Sequence, residues 1–278
     1  MYSRGDWVDQ DDIKAVQWYQ RAADQGDIQG QGALGWAYYM GQSVKQDYDK
    51  AYQLIQKAAT RGDAIAQNNL GVMYDSGNGV EQDYIKAVYW YQKSADQGEA
   101  LAQNNIGYLY ETGTGVKRDY TEAAKWYQKA ADQNDAFGQA GLGWAYYTGQ
   151  GVAQDYEKAL ELLEISAEQG AAIGQNNLGA LYVEGKAVPK NDAKAFELFS
   201  QSAAQEEKFG QRNLGMMYLM SSDQTEALKW FSIACDNGDV SSCDMYEVVV
   251  MTSDDSIAAL NLAIEAEPAA SLKEASDK

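Results

Sequence analysis

The sequence predicts an all-α protein assembled from helix-turn-helix repeats that are 36 residues long. Two observations carry this prediction, and both concern spacing. A Leu-Gly or Ile-Gly pair recurs in five steps of 36 residues, with the pairs beginning at Leu34, Leu70, Ile106, Leu142, Leu178 and Leu214. An alanine follows the same period at positions 15, 51, 87, 123, 159 and 195, and again at 227 after a step of 32. The chain therefore holds about seven repeats.

The first helix of each repeat is amphipathic. In the stretch 15–23, apolar residues stand at i, i+1, i+4, i+7 and i+8, which is one face of an α-helix. An acidic residue precedes the helix, where its side chain can accept hydrogen bonds from the free backbone N–H groups, at Asp47, Asp83, Asp119 and Asp155. A glycine follows the helix, as is common where the backbone turns left-handed, at Gly26, Gly62, Gly98 and Gly170.

The second helix carries the pattern Leu-Gly-x-x-Tyr, and its tyrosine recurs at 38, 74, 110, 146, 182 and 218. A glycine inside a helix costs about 1 kcal/mol relative to alanine. We therefore expect a compensating close approach of a neighbouring helix at positions such as Gly35. A Gly-x-Gly-Val turn then leads into the next repeat, at 77–80, 113–116 and 149–152.

Taken together, these residues resemble the Sel1-like repeat family. The matching pattern is Ala-x-x-Trp-Tyr-x-x-Ala-Ala-x-x-Gly followed by Ala-Gln-x-x-Leu-Gly-x-x-Tyr-x-x-Gly-x-Gly-Val, and it extends over roughly residues 1–250. The resemblance implies an α/α solenoid related to tetratricopeptide arrays, in which helix pairs stack into a right-handed superhelix. It also implies an extended concave surface lined by the first helices.

The two ends of the chain depart from the repeat. Residues 1–5 align with 73–77, so we expect the chain to begin inside a repeat and a further segment to have been removed upstream. Ile257, Leu260 and Ile264 fall on one face of a helix that could cap the last repeat. The expected organisation is a remnant of a preceding repeat at 1–11, the solenoid at 12–250, a C-terminal capping helix at 251–267 and a disordered tail at 268–278.

Composition excludes several classes of function. The chain has 22 Lys and Arg against 41 Asp and Glu, a net charge of −19, so nucleic-acid binding is not expected. It has no histidine and two cysteines, which removes the commonest general base and the usual zinc ligands. No catalytic residue, metal site, cofactor or membrane insertion is predicted. Residues 235–278 alone have a net charge of −8, which indicates a protein partner with a basic surface.

The two cysteines replace fixed residues of the repeat. Cys235 stands where earlier repeats have alanine, and Cys243 where they have glutamine, at the end of one helix and the start of the next. The last repeat thereby resembles the cysteine-rich Sel1-like proteins of Helicobacter, and the resemblance implies a disulfide and hence a periplasmic or secreted protein. Two reduced, buried thiols in a cytosolic protein are the alternative.

Variable positions on the fixed scaffold are candidates for partner binding, because specificity can change there without changing the fold. Aromatic and cationic side chains at such positions can anchor a partner. The alternative is that these side chains fill the packing between repeats. The candidate contact residues are Trp36, Tyr39, Tyr89, Lys125, Trp144 and Tyr147.

The expected function is that of a non-enzymatic protein-binding scaffold of the bacterial cell envelope. The resemblance to the Sel1-like repeat family implies this function. That family includes immunity proteins that neutralise a phospholipase effector of the type VI secretion system. An envelope or host-facing adaptor is the alternative. Binding or hydrolysis of β-lactams, reported for cysteine-rich relatives, is less expected because the chain lacks Ser-x-x-Lys and histidine.

Overall fold

A computed structural model of the protein describes residues 11–251, which form seven successive pairs of α-helices and contain no β-strand. The prediction of an all-α helical repeat fold is confirmed. The helices are α1 (Asp12–Asp24), α2 (Ile28–Met40), α3 (Tyr48–Thr60), α4 (Ala64–Ser76), α5 (Tyr84–Ala95), α6 (Ala100–Thr112), α7 (Tyr120–Ala131), α8 (Ala136–Thr148), α9 (Tyr156–Glu168), α10 (Ala172–Glu184), α11 (Asp192–Ala203), α12 (Lys208–Met220), α13 (Gln224–Asp236) and α14 (Val240–Met251).

The predicted ends of the chain fall almost wholly outside the described residues. Of the remnant expected at 1–11, only Asp11 is described, and its side chain caps α1. Of the capping helix expected at 251–267, only Met251 is described, as the last residue of α14. The tail expected at 268–278 also lies outside the described residues.

Side-chain caps start the odd-numbered helices, as the sequence predicts. The carboxylate of Asp47 accepts a hydrogen bond from the backbone N–H of Lys50 at 3.0 Å, and Asp83, Asp119 and Asp155 accept equivalent bonds. The terminating glycines are confirmed as well, since Gly62 has a φ of 98°. The period of the sequence therefore locates both ends of these helices.

Helical glycines allow the even-numbered helices to approach their neighbours closely. A Cβ atom placed on Gly35 would lie 2.7 Å from Cγ1 of Ile55 on α3, and one on Gly71 would lie 2.6 Å from the ring of Tyr91 on α5. These contacts confirm the expected compensation for glycine inside a helix. A large side chain of the odd-numbered helix fills the space beside each helical glycine. The identity of this side chain differs between repeats.

The chain divides into two compact units, residues 1–130 and 131–278, each with its own core. In the first unit Ile55, Leu70 and Ile106 are almost fully buried, and in the second Leu163 and Phe231 are. Within the units the even-numbered helices of successive repeats also pack on one another, α2 on α4, α8 on α10 and α10 on α12.

This packing sets the even-numbered helices of each unit side by side, and we call them the inner row and the odd-numbered helices the outer row. Successive odd-numbered helices of the described residues do not pack on one another to the same extent. The expectation that the first helices of the repeats line a concave surface stays a prediction. The second helix, with its glycine, approaches its neighbours closely.

Candidate functional site

The six predicted contact residues lie on two different rows of helices. Trp36, Tyr39, Trp144 and Tyr147 belong to the even-numbered, inner helices α2 and α8. Tyr89 and Lys125 belong to the odd-numbered helices α5 and α7. Four of the six residues belong to the first unit and two to the second, and their role in binding remains a prediction.

The inner-row aromatics of α2 form a stacked pair. The rings of Trp36 and Tyr39 are nearly parallel, with centroids 4.8 Å apart. The Tyr39 hydroxyl lies 3.2 Å from the Oγ of Ser76 and accepts a hydrogen bond from the side-chain amide of Asn78 at 3.2 Å. Tyr39 is only 9% exposed, so most of its surface links one repeat to the next.

The equivalent pair on α8 is packed in the same way. The ring centroids of Trp144 and Tyr147 are 5.2 Å apart, and their exposed fractions are 9% and 4%. Burial raises the pKa of the Tyr147 hydroxyl, and the nearby carboxylate of Glu184 raises it further. These two side chains offer a partner little surface. Their environment is that expected of side chains that fill the packing between repeats.

The two outer-row candidates are exposed. Tyr89 packs edge-on against Trp90 and has the ammonium group of Lys93 5.1 Å from its ring centroid. The Nζ atom of Lys125 lies 2.9 Å from the carboxylate of Glu122, one turn earlier on α7. Both side chains remain accessible to a partner.

The inner row of the first unit carries a further set of exposed apolar residues. Ile65 on α4 and Leu101 on α6 occupy equivalent positions 36 residues apart and are 59% and 45% exposed. Tyr108, two turns after Leu101, is 56% exposed. A hydrogen bond of 2.9 Å from the side chain of Asn105 to that of Asn68 joins the two helices.

Two carboxyl groups without a cation accompany Tyr108. The Tyr127 hydroxyl donates a hydrogen bond of 2.5 Å to Glu111, and the Tyr91 hydroxyl interacts with Asp75. Burial raises the pKa of both carboxyl groups, against the opposing effect of these hydroxyls. Among residues 11–251 neither carboxylate has an ion pair.

We call this set the inner surface, and it consists of Ile65, Asp75, Leu101, Tyr108 and Glu111. Burial raises the pKa of the Tyr108 hydroxyl, and the carboxylates of Glu111 and Asp75 raise it further. A cationic side chain brought to this surface would relieve the cost of the partly buried negative charge. The signal in the sequence is an acidic residue at a position that is aromatic or aliphatic in the other repeats.

The two cysteines meet at the turn between α13 and α14. The Sγ atoms of Cys235 and Cys243 are at bonding distance, 1.99 Å, and the Cα atoms are 4.9 Å apart. The pair is therefore capable of forming a disulfide. Cys235 lies near the end of α13 and Cys243 in the first turn of α14, as the repeat pattern predicts.

The described residues 11–251 lack two other kinds of site. No group of three or more His, Cys, Asp and Glu side chains in this part of the chain could hold a metal ion. None of its helices combines the length and the apolar composition that a membrane span requires.

The fold defines the class of an all-α helical repeat protein. The chain belongs to the Sel1 repeat family, whose model matches seven segments, 1–27, 28–63, 64–99, 100–135, 136–170, 172–206 and 209–239. Proteins of this family are generally scaffolds for protein interaction. No curated protein matches the chain.

Solved structures extend this likeness to several bacteria. A protective antigen of uropathogenic Escherichia coli with an SLR fold is 35% identical with a TM-score of 0.58, covering 92% of this chain and 56% of its own length. This chain thus spans little more than half of that antigen. A Sel1 repeat protein of Oxalobacter formigenes is 26% identical, with a TM-score of 0.66, covering 81% of this chain and 97% of its own. An immunity protein of Pseudomonas aeruginosa is 23% identical, with a TM-score of 0.50, and the match covers 81% of this chain and 83% of that protein.

Proposed function

We propose that the protein is a non-enzymatic, protein-binding scaffold of the bacterial cell envelope that acts as an immunity protein. In this role it would occlude a secreted phospholipase effector of the type VI system. The observation that carries the proposal is the inner surface, where the exposed ring of Tyr108 accompanies the partly buried carboxyl groups of Asp75 and Glu111.

The chemistry of the inner surface favours a partner with a basic and partly apolar surface. Tyr108 supplies an exposed aromatic anchor, and Ile65 and Leu101 supply exposed apolar area beside it. Residues of this kind contribute much of the binding energy in protein interfaces. A lysine or arginine of the partner would meet carboxylates that have no cation of their own.

The charge of the chain supports the same kind of partner. Residues 131–278 contain 9 Lys and Arg against 24 Asp and Glu, a net charge of −15, whereas residues 1–130 have 13 against 17, a net of −4. Such an excess attracts a basic protein over a distance of about 8 Å at physiological ionic strength. It increases the rate of association more than the affinity.

The location in the envelope rests on the cysteine pair, and the immunity role on the fold. Cys235 and Cys243 would form a disulfide that persists in an oxidising compartment such as the periplasm. The Pseudomonas protein described as an immunity protein has the same fold, which makes the role compatible with this architecture. Of the six residues predicted from the sequence, Tyr89 and Lys125 remain the accessible candidates for additional contacts, whereas the aromatic pairs of α2 and α8 pack against neighbours within their own units.

Affinity capture from a cell-envelope extract tests the proposal. The wild type should retain one protein in stoichiometric amount, and Tyr108→Ala should weaken its retention by about 30-fold, as expected when an interface anchor is truncated. Tyr246→Ala is the matched control, because it removes another exposed tyrosine from α14, outside the inner surface and outside the predicted contact residues. Capture of no stoichiometric partner, or equal losses in the two variants, would contradict the proposal.

The identity of the partner separates the immunity role from the second candidate, an envelope or host-facing adaptor. The E. coli protective antigen, at 35% identity, is the observation that favours the adaptor. A gene for a secreted phospholipase adjacent to the gene of this protein, together with inhibition of that enzyme by the purified chain, is expected for immunity. A partner without phospholipase activity would favour the adaptor.

A further inference from the structure

A row of cations runs along the odd-numbered helices of the first unit. It occupies one position of the repeat, close to the end of the helix, and appears in four successive repeats at intervals of 36 residues. We call this row the cationic stripe, and it consists of Arg21, Lys57, Lys93 and Lys129. All four side chains are exposed.

The cations of the stripe have no carboxylate partner among residues 11–251. Lysines nearer the helix starts behave differently, since Lys50 pairs with Asp47 at 3.4 Å and Lys86 with Asp83 at 3.0 Å. The stripe therefore presents positive charge that the protein does not neutralise, although the whole chain has a net charge of −19.

Aromatic rings lie beneath three of the four cations. The guanidinium carbon of Arg21 is 5.0 Å from the ring centroid of Trp18, and the Nζ atom of Lys129 is 3.4 Å from that of Trp126. Lys93 lies 5.1 Å from the centroid of Tyr89. Cation–π contacts of this kind hold the side chains over apolar surface, where less water separates them from an approaching anion.

The second unit shows that the fold does not require these cations. The same position of the repeat is Ile165, Gln201 and Ile233 there. All three belong to helices equivalent to those of the first unit. The cationic stripe thus occurs in the first unit only and is not a general feature of the repeat.

A groove between α1 and α3 adjoins the stripe at Lys57. Its volume is about 410 Å³, and it is lined by the apolar side chain of Leu54, the ring of Tyr38 and the polar groups of Gln53 and Lys50 as well as by Lys57. The combination of an apolar wall with the ammonium group of Lys57, which has no salt bridge among residues 11–251, suits a side chain that has a hydrocarbon stem and an anionic end, as glutamate does.

We propose that the cationic stripe binds an acidic polypeptide segment laid across the odd-numbered helices of the first unit. Carboxylates of the segment would pair with Arg21, Lys57, Lys93 and Lys129, and one side chain would enter the groove between α1 and α3. Charge complementarity identifies the occupant. A polypeptide fits better than a nucleic acid, because the cations stand singly over apolar rings and the rest of the chain is strongly acidic. This binding goes beyond the proposed function and uses another face with the opposite charge.

Fluorescence anisotropy with a labelled peptide of alternating Glu and Leu tests the proposal. The triple variant Lys57→Gln, Lys93→Gln, Lys129→Gln should bind the peptide about 10-fold more weakly than the wild type, since each exposed pair contributes modestly. Gln201 shows that glutamine is compatible with this position of the helix. The control variant Lys45→Gln, Lys117→Gln, Lys190→Gln loses the same charge outside the stripe and should bind within about 2-fold of the wild type.

Three outcomes would overturn the proposal: no peptide binding by the wild type, equal losses in the two triple variants, or tighter binding of a labelled oligothymidylate or of phosphatidylglycerol vesicles than of the peptide. If the stripe variant does not fold, the single variant Lys57→Glu should still weaken peptide binding. Tyr108→Ala should leave peptide binding unchanged, so failure of the stripe and failure of the inner surface can be told apart.

Discussion

The guanidinium group of Arg212 lies 3.2 Å from the carboxylate of Asp239, and each side chain is 6% exposed. The other carboxylate oxygen of Asp239 accepts hydrogen bonds from the backbone N–H and the hydroxyl of Ser242, at 3.2 and 2.5 Å. The ion pair thus ties α12 to the start of α14. In three other repeats the position of Arg212 is asparagine, so this pair is a departure from the repeat.

Replacing Arg212 by leucine is expected to lower the free energy of unfolding by about 3–5 kcal/mol, because it leaves the Asp239 carboxylate buried without its counter-charge. Urea denaturation followed by circular dichroism measures the loss. The double variant Arg212→Leu, Asp239→Ser retains a capping oxygen for Ser242 and should be more stable than the single variant. A double variant that is less stable would show that the ion pair is not the cause.

Removing the cysteine pair should destabilise the protein by about 2.6 kcal/mol, the value that the chain-entropy model gives for closing a loop of nine residues. The suitable variant is Cys235→Ala, Cys243→Gln, because alanine and glutamine occupy these positions in the other repeats. Thermal denaturation with and without reductant measures the effect. Titration of thiols in the unfolded, unreduced wild type should find none, and two free thiols would contradict both the disulfide and the proposed compartment.

Two glycines of α2 should respond in opposite directions to alanine. At Gly35 the new methyl group would lie 2.7 Å from Ile55 and 3.1 Å from backbone of α3, so a loss of about 1–3 kcal/mol is expected. At Gly32 the nearest atom would lie at 3.5 Å, an ordinary contact, and the higher helix propensity of alanine should stabilise by up to about 1 kcal/mol. Ala140 already occupies the equivalent position in α8. Equal effects at the two sites would contradict the close approach at Gly35.

The buried carboxyl group of Glu111 should oppose folding as the pH rises. Burial raises its pKa above the value in the unfolded chain, so the folded state favours the protonated form. The associated stability is fully present below the unfolded pKa and is lost as the pH rises through the higher folded pKa. We expect Glu111→Gln to gain stability relative to the wild type as the pH increases from about 4 to about 7.

Asp83→Asn provides the control of opposite sign. Hydrogen bonds from the backbone and side chain of Lys86 lower the pKa of Asp83, so its contribution is present above the unfolded pKa and is lost as the pH falls. The difference between this variant and the wild type should therefore shrink on acidification. Urea midpoints across the pH range measure both effects, and parallel curves for wild type and Glu111→Gln would exclude the assigned cause.

The sequence predicted the helices and their ends because each depends on residues close together in the chain. Asp47 caps the helix that begins one residue later, and Gly62 ends it. The accessibility of candidate contact residues could not be predicted in this way. Trp144 stands at a position that varies between repeats and is nevertheless buried, with its ring 5.2 Å from that of Tyr147 on the same helix.

The placement of the inner and outer rows was also beyond the sequence. It depends on how closely successive helices pack, and hence on side chains 36 residues apart that never adjoin in the chain. For the same reason the sequence does not show that Asp75 and Glu111 share a surface with Tyr108. Their common environment arises only when α4 and α6 lie side by side.

The space that each helical glycine leaves beside its helix affects which substitutions the repeat can accept. The residue that fills it is Ile55, Tyr91, Tyr127, Leu163, Phe199 or Phe231, so the gap accepts side chains of several shapes. Tyrosine fills it in the two repeats where the residue sixteen positions earlier is acidic, Asp75 and Glu111. Exchange of phenylalanine for tyrosine at this position can thus add a hydrogen-bond donor for a new carboxylate without altering the helix pair. Each repeat can therefore acquire or lose a charge independently of the next repeat.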